Sequence, residues 1–528
     1  MIIVIGILLV TSLLLVAAFT SSQGEIRLTG LDTNSKKAYY AAQAGINDYL
    51  YHLTRDSNYL SYCTSPSPAN PALNQAGSTT NRATIPGSVG EKPEEQYAIQ
   101  LLPAASAPVG NKKCDVNNLA ETMIEQTGAA AGTFRIQATG YAGGETRSIV
   151  ATFKNVNFVS YVWFTKYETF DPVVYGEPIK SQCGAFWPKR PEGRGECTAT
   201  NFFVTGESIN GPVHTEDHAG ICGEPVFGRN ASDRIEFGSR GEQAGEGFSS
   251  EGCSGSASPK FVGTHIPVKE VPELEPPPGD EELQHIEGRS EYANKTEIVL
   301  KGNTMKITRG GVSEENVPFP KAHLIFVSGG CSKAYSPFGP KPGYTEDATC
   351  GNVYVRGEYS ESLTIAAQND VVINGNLIGP HNSEGTPTGT VMLGLIANNF
   401  VRIYHPLSGS RGTSQGSCST SKNAAAPPDL NEPVIDAAIL ALKHSIVVDN
   451  YDCGSATLGH LNINGAVAGL FSNGMTGVFE GSGSIVNGYP YNLKYDSRLL
   501  VEEPPHFLNP IRAAWIIQHE TLATKPGP

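Results

Sequence analysis

The sequence predicts a mostly β protein of the α+β class: a long N-terminal helix, then a small antiparallel sheet, then a right-handed parallel β-helix-like body. Three observations support this prediction. The first 24 residues contain no charged side chain, the apolar segments that follow are short and separated by Gly and Asn, and similar segments recur in the second half of the chain. Charged residues make up only 17% of the 528 residues, below the roughly 25% of typical soluble domains.

The N-terminal helix is predicted from an apolar stretch that begins at Met1 and reaches Phe19. At about 1.5 Å per residue, this stretch matches the hydrocarbon core of a bilayer. Residues 1–24 are therefore predicted to span the cytoplasmic membrane and to contact its lipid. A cleaved signal peptide is the alternative, since Ala17 and Ala18 are small residues near the end of the stretch. The missing basic start and the length of the stretch favour the membrane helix.

The helical pattern continues beyond the apolar stretch. Apolar or small residues recur at spacings of three, four and seven from Leu31 to Leu53, and the first proline is Pro66. We therefore expect one unbroken helix to about Arg55, with residues 25–61 as its exposed amphipathic half.

The segment SKKAYYAAQAGINDYLYHL, from Ser35 to Leu53, resembles the N-terminal helix of type IV pilus minor pilins and pseudopilins of the PilX-like kind. That family carries an Ala-rich signature in which Glu or Gln precedes Ala-Gly, and Gln43 stands in that place here. The resemblance implies a helix held among other pilin subunits and the pilus assembly machinery, because small residues let helices approach closely. The residues assigned to helix packing and assembly are Ala38, Ala41, Ala42, Ala44, Gly45 and Tyr49.

The chain departs from the family pattern at its start. A basic leader ending in Gly is absent, and so is the Glu that usually lies a few residues into the mature helix. Either a leader precedes Met1, or a prepilin peptidase does not process the chain. The tail from Tyr495 to Thr521, together with GPVHTEDHAGICG (Gly211 to Gly223), resembles large pilin-like surface proteins of actinobacteria.

Residues 62–95 are rich in Ser, Pro, Asn and Gly and are predicted to form a loop or hinge. A small β domain is predicted over residues 96–175. Its strands are expected at Gln96–Leu102, Thr133–Tyr141 and Thr146–Phe158, each of which alternates or runs apolar over strand length.

The body is predicted over residues 196–495. Three segments share one pattern, in which an Asn- or His-containing corner separates two apolar runs: Ile365 to Ile373, Leu395 to Ile403 and Leu440 to Val448. Imperfect recurrence of this kind is typical of a β-solenoid, in which Asn and Gly supply the positive φ of tight bends. A large β-sandwich is the alternative.

Two insertions are expected in the body, at residues 267–280, which should be extended and solvent-facing, and at residues 404–433. Residues 496–528 are predicted to form a cap and tail. An amphipathic helix from Ile511 to His519 is expected to close the solenoid.

The ten cysteines lie in Gly/Ser-rich surroundings, and none has CxxC or zinc-site spacing. Their even number predicts disulfides in an oxidising compartment, with buried reduced thiols of a cytosolic protein as the alternative. Our hypothesis pairs neighbours in sequence, although sequence alone does not fix connectivity. The pairs are Cys63–Cys114, Cys183–Cys197, Cys222–Cys253, Cys331–Cys350 and Cys418–Cys453.

The sequence offers little catalytic chemistry, and no cofactor or metal is predicted. The formal net charge of −14 disfavours nucleic-acid binding. The GTSQG segment around Ser414 lacks the strand and helix of a nucleophile elbow. His214, Asp217 and His218 could hold a metal only on a helical turn, whereas Gly and Pro nearby predict a solvated loop.

These observations lead to a functional expectation. The protein is expected to be a non-enzymatic, single-pass surface protein that serves as a minor or tip subunit of a type IV pilus or pseudopilus. Its extracytoplasmic body is expected to present a face to surface carbohydrate or protein. The alternative is a membrane-tethered polysaccharide lyase or glycosidase of the β-helix type. Its nearest candidate residues are Arg356, Glu358, Glu361 and Asp370.

Overall fold

The computed structural model describes most of the chain and divides it into two compact units. Unit 1 comprises Met1–Val156 and Ala513–Pro528, and unit 2 comprises Asn157–Arg512. The described residues are 2–55, 59, 70–74, 78–85, 95–105, 123–125, 130, 132–171, 201–238, 247–250, 253–268, 274–331, 335–337, 348–405, 418, 430–453, 457–472, 483, 485–500, 502–511 and 514–523.

Strands dominate these residues, so the protein is mostly β. The elements are α1 (Ile2–Arg55), β1 (Leu73–Asn74), β2 (Ala83–Thr84), β3 (Gln96–Leu102), β4 (Thr133–Ala142), β5 (Glu145–Val156), β6 (Trp163–Tyr167), β7 (Phe202–Val204), β8 (Ser208–Asn210), β9 (Val213–Thr215), β10 (Ala219–Cys222), β11 (Val226–Phe227), β12 (Arg234–Gly238), β13 (Phe248–Ser249), β14 (Lys260–Phe261), β15 (Thr264–Val268), β16 (Ser290–Ala293), β17 (Thr296–Gly302), β18 (Thr304–Arg309), β19 (Val312–Pro318), β20 (Leu324–Ser328), β21 (Val353–Tyr359), β22 (Leu363–Ala367), β23 (Val371–Ile378), β24 (Leu393–Ala397), β25 (Val401–Ile403), β26 (Val434–Ala441), β27 (Ile446–Val448), β28 (Leu461–Phe471), β29 (Tyr491–Tyr495) and β30 (Ala514–Leu522). Short 3-10 helices occupy Phe158–Ser160, Glu281–His285 and Ser497–Leu500.

Unit 1 is a helix packed on one sheet. Its strands follow the order β1-β3-β4-β5-β30, with β2 also paired to β3. The β3–β4 and β4–β5 pairs are antiparallel, and a two-residue turn, Gly143–Gly144, joins β4 to β5. The helix α1 is unbroken from Ile2 to Arg55, in agreement with the absence of proline in that range.

The C-terminal segment differs from its prediction. The helix expected from Ile511 to His519 is wrong, because Ala514–Leu522 forms strand β30, which pairs antiparallel with β5. The run AWII is short and apolar, and such a run does not distinguish a helix from a buried strand by periodicity. Pairing with β5 decides the outcome, and the segment completes the sheet of unit 1 instead of capping the body.

Unit 2 is built mainly from parallel ladders. Strands that alternate along the chain pair in parallel: β20 with β22, β22 with β24, β24 with β26, and β26 with β28. A second ladder runs through β21, β23, β25 and β27. Among the described strands of unit 2, only the β17–β18–β19 meander is antiparallel.

The three predicted repeats lie on one another in these ladders. Ile365 pairs with Leu395, and Ile396 pairs with Leu440. Beyond the corner, Val401 pairs with Ile446. Each repeat therefore supplies one strand to each ladder, and its apolar residues are buried.

The corners themselves differ from expectation. Asn369 and Asn399 are not among the residues with positive φ. Their amides form a ladder instead, in which Asn399 Nδ2 donates to Asn369 Oδ1 at 2.5 Å and Asn369 Nδ2 donates to Asn352 Oδ1 at 2.5 Å. Side-chain hydrogen bonds between successive layers, and not backbone conformation, therefore account for Asn at this corner.

The end of the small β domain and the first insertion also differ from their predictions. Unit 1 ends at Val156, short of the predicted residue 175, because β6 pairs with β28 and β9 inside unit 2. The insertion predicted over residues 267–280 is not wholly solvent-facing, since Leu274 and Asp280 are fully buried. Only Leu430–Pro433, Cys418 and Tyr404–His405 of the insertion 404–433 belong to the described residues.

Candidate functional site

The assembly residues predicted on α1 lie on the face of the helix that packs within unit 1. Ala38, Ala41, Ala42 and Tyr49 are fully buried, Gly45 is buried, and Ala44 is half-buried. The core around this face includes residues of β3, β4 and β5. Their immediate partners are thus strands of the same unit, and contact with helices of other subunits stays a prediction.

Small residues are needed on this face because the helix and the sheet approach at backbone distance. A side chain at Gly140 of β4 would overlap the Ala38 carbonyl and the Ala42 amide. A side chain at Gly45 would press against Tyr97 of β3. The Ala-rich signature therefore has an explanation inside unit 1 itself.

Aromatic rings anchor the C-terminal end of this contact. The Tyr49 ring lies 5.1 Å from Tyr59, 6.1 Å from Phe134 and 5.8 Å from Phe153, measured between centroids. Burial raises the pKa of Tyr49 well above its ordinary value. Edge-to-face and tilted contacts of this kind stabilise a core beyond the area they bury.

The N-terminal half of α1 has the opposite character. Its large apolar side chains from Ile3 to Val16 are all exposed, by between 53% and 78%. They surround the helix, so no face of this segment is polar. An exposed apolar surface of this extent indicates a contact with another apolar surface.

The predicted membrane span, residues 1–24, falls on the N-terminal part of α1. In the part of the chain that the structure describes, no helix combines the length and apolar character needed to cross a lipid bilayer. The span predicted for residues 1–24 is therefore not supported by the structure. The side chains of residues 17–28 lie outside the described residues.

Three of the five hypothesised cysteine pairs are joined as disulfides, all in unit 2: Cys222–Cys253, Cys331–Cys350 and Cys418–Cys453. They close loops with sequence separations of 31, 19 and 35 residues. The remaining cysteines, Cys63, Cys114, Cys183 and Cys197, lie outside the described residues, and so does Ser414.

The segment considered as a metal site is a hydrogen-bonded core element. His214 lies on β9, fully buried, and its Nδ1 is 2.8 Å from Glu236 Oε2. Burial favours a higher pKa for Glu236, but His214 and Arg234 lower it to about 2. Asp217 accepts hydrogen bonds from the backbone amides of Glu168 and His218. The site is thus engaged in holding neighbouring strands and a turn together.

The residues of the enzyme alternative have separate surroundings. Asp370 is buried, with Oδ2 3.1 Å from Arg402 Nη1, while Arg356 pairs with Glu297 at 3.5 Å. Glu358 is exposed and Glu361 is half-exposed. The structure gives these four residues no shared hydrogen bond or ion pair among the contacts it describes.

Sequence reasoning missed a buried charged cluster around Arg402. This side chain is only 1% exposed and lies near the Asp370 and Asp449 carboxylates, with the Tyr335 ring 4.5 Å from its guanidinium carbon. Burial alone would lower the pKa of Arg402, but Asp449 and Asp370 raise it above its ordinary value. Tyr335 O–H donates to Asp449 Oδ1 at 2.6 Å. A lone Arg between Val and Ile in a strand was the only signal, because its partners are distant in sequence.

Comparison with known proteins gives a match among solved structures only. No protein-family model matches the chain, and no curated protein is similar to it. Among solved structures, the competence-associated pilin ComZ from Thermus thermophilus is 11% identical in sequence. The alignment covers 93% of this chain and 98% of that chain, with a TM-score of 0.28. Similarity at this TM-score carries no argument about fold or function.

Proposed function

We propose that the protein is a non-enzymatic pilin-like subunit that enters a type IV pilus or pseudopilus through α1. The observation that supports this most is the division of α1 into two halves. From Ala38 to Leu53 the helix contributes buried residues to the core of unit 1, whereas from Ile3 to Val16 its apolar side chains are exposed. A helix of this kind has one half to hold its own domain and another half to bind outside it.

The partners follow from the chemistry of the exposed half of α1, from Ile3 to Val16. Exposure of so many Leu, Ile and Val side chains to water is unfavourable, at roughly 25 cal/mol for each Å². Helices of other pilin subunits, and membrane lipid around residues 1–24 before assembly, would remove that surface from water. We therefore place the protein at the cytoplasmic membrane, with its β-rich body outside the cytoplasm, where disulfides persist.

We further propose that unit 2 is a right-handed parallel β-solenoid. The alternating parallel pairings and the in-register stacking of Ile365 on Leu395 support this architecture. The strand-to-strand crossovers of parallel sheets are almost always right-handed, which supports the hand. A body of 356 residues, Asn157–Arg512, would crowd a densely packed filament. A minor or tip position accommodates it.

The test places a charge in the exposed half of α1. Leu13 is 61% exposed, so Leu13→Glu leaves the fold of both units intact but makes apolar partners unfavourable. In the producing bacterium, immunoblots should detect the wild-type chain in sheared filaments and in membranes, and should not detect the variant in either fraction.

The matched control is Val262→Glu, which changes a 48% exposed apolar residue of unit 2. This variant should enter filaments as the wild type does. Equal incorporation of Leu13→Glu, or absence of the wild-type chain from both filaments and membranes, would contradict the proposed function.

A further inference from the structure

One outward face of unit 2 carries a regular array of polar side chains on three neighbouring strands. Asn462 on β28 pairs with Asn492 on β29, which pairs with Ser208 on β8. Two positions further along, Asn464 pairs with Lys494, which pairs with Asn210. These six residues are called the amide platform.

The orientation of the amide platform follows from strand alternation. Along β28, Leu461 and Ile463 are buried while Asn462 and Asn464 are half-exposed, and β8 and β29 repeat the pattern. Neighbouring parallel strands lie about 4.8 Å apart. The platform therefore presents two rows of polar side chains that cross the three strands. Within each row the side chains repeat at the spacing of the strands, which is close to the length of one sugar ring.

Hydrogen bonds within the array fix its side chains. Asn492 Nδ2 donates to Asn462 Oδ1 at 2.6 Å, and Asn462 Nδ2 donates to the His460 carbonyl at 3.1 Å. Asn464 Nδ2 donates to Asp436 Oδ1 at 2.8 Å. Amides held in one orientation lose less conformational entropy when a ligand binds.

The chemistry of the platform matches a neutral polyhydroxylated chain. Amide and hydroxyl groups both donate and accept hydrogen bonds, as sugar hydroxyls do. Lys494 is the one cation of the platform, and the carboxylate of Asp436 lies in the same row on β26, where it accepts a hydrogen bond from Asn464. The whole chain carries a net charge of −14, which disfavours acidic glycans.

A protein ligand is less well matched. Protein interfaces have an apolar core rich in aromatic residues. Among the described residues of unit 2, the exposed large apolar side chains are Val262, Val312 and Ile511, and none belongs to the amide platform.

We propose that the amide platform binds a neutral polysaccharide lying across β28, β29 and β8. This inference deepens the proposed function and rests on it, because the platform must face the cell exterior to meet such a ligand. The rows of amides recognise sugar hydroxyls by hydrogen bonds, layer by layer along the sheet.

The test compares two double variants of the full chain in detergent. Asn462→Ala/Asn492→Ala removes one cross-strand pair of the platform. Thr308→Ala/Ser313→Ala removes a comparable exposed cross-strand pair, joined at 2.9 Å, from the β18–β19 hairpin. The probes are cellulose, chitin, mannan and starch, with polygalacturonate as the acidic comparison.

At least one neutral polysaccharide should retain the wild-type chain and the hairpin variant equally. The platform variant should bind it at least about tenfold more weakly, the loss expected for two hydrogen-bonding groups. Binding to no neutral probe, tighter binding to polygalacturonate, or equal binding by the platform variant would each overturn the inference. Unchanged thermal unfolding of both variants shows that folding is not the cause.

Filament incorporation separates this inference from the proposed function. The platform variant should still enter filaments, since α1 is unchanged. A wild-type chain that enters filaments but binds no neutral probe overturns only the platform. A chain that binds through the platform but is absent from filaments and membranes overturns only the proposed function.

Discussion

Unit 1 and unit 2 form their cores from different kinds of packing. In unit 1 one long helix covers an antiparallel sheet, and the strand β30, from the far end of the chain, closes the edge of that sheet. In unit 2 parallel strands stack in ladders, and the described disulfides close its loops. Unit 1 thus depends on a single close contact between helix and sheet, whereas unit 2 depends on register repeated from layer to layer.

The largest expected effects come from glycines at close backbone contacts. Gly140→Val should destabilise unit 1 by about 4 kcal/mol or more, because its side chain would overlap the backbone of α1. Gly465→Val should do the same to unit 2, since it would overlap the Ala437 carbonyl on β26. Hydrogen exchange followed by mass spectrometry reports each unit separately. Loss of protection in both units from either single change would contradict the division of the chain into two compact units.

Removal of a disulfide should weaken unit 2 alone. Cys222→Ser/Cys253→Ser opens a loop with a sequence separation of 31 residues. The expected cost is about 3 to 4 kcal/mol in the free energy of unfolding, because the unfolded chain gains freedom. Denaturant unfolding with hydrogen-exchange readout tests this, and unchanged protection in unit 2 would show that the bridge is not stabilising.

Asp280 should make the stability of unit 2 depend on pH. This carboxyl is buried, neither of its oxygens has a hydrogen-bond partner among the described residues, and burial raises its pKa to about 7, with Glu281 adding to the rise and Lys443 opposing it. The unfolded carboxyl titrates near pH 4. Its contribution is therefore complete below about pH 4 and is lost as the pH rises to about 7, by an amount on the order of 3 kcal/mol.

The check is denaturant unfolding between pH 4 and pH 8. Asp280→Asn should flatten this part of the pH dependence, while Glu281→Gln, at the exposed neighbour, should largely preserve it. Identical pH profiles for the wild type and Asp280→Asn would contradict the assignment.

The smallest expected effect concerns the closing strand of unit 1. Gln43 Nε2 donates to Glu520 Oε1 at 2.8 Å and so ties α1 to β30. Gln43→Ala should cost about 1 kcal/mol and increase hydrogen exchange mainly in residues 514–522. Asn47→Ala, at an exposed position one turn further along, should have no such effect. Equal hydrogen exchange of residues 514–522 in the two variants would show that the hydrogen bond from Gln43 does not stabilise β30.

Local patterns predicted a good part of this fold. The absence of proline before Pro66 and the recurring small residues predicted α1, and alternation placed β3, β4 and β5 within two residues of their observed ends. The repeats that begin at Ile365, Leu395 and Leu440 predicted strands that stack, because each repeat consists of two apolar runs separated by a polar corner.

Contacts between distant segments were not predictable in this way. The segment around Trp515 forms a strand because it pairs with β5 at the edge of the sheet. Arg402 can be buried because the carboxylates of Asp370 and Asp449, from neighbouring layers, lie next to it. The candidate site shows the same limit. The Ala-rich signature predicted close packing but not the packing partner. In the structure the backbone of Ala42 lies against Gly140 of β4, and the sequence around Ala42 carries no sign of that distant contact.

The most direct test of the proposed assembly role is photo-crosslinking from Leu9, which is 58% exposed on the exposed half of α1. In the producing bacterium, a photoreactive residue at this position should give a covalent product with the N-terminal helix of another filament subunit. The same residue at Val262 in unit 2 should give no such product. Recovery of the chain from the cytosol, with no crosslink from Leu9, would contradict the account.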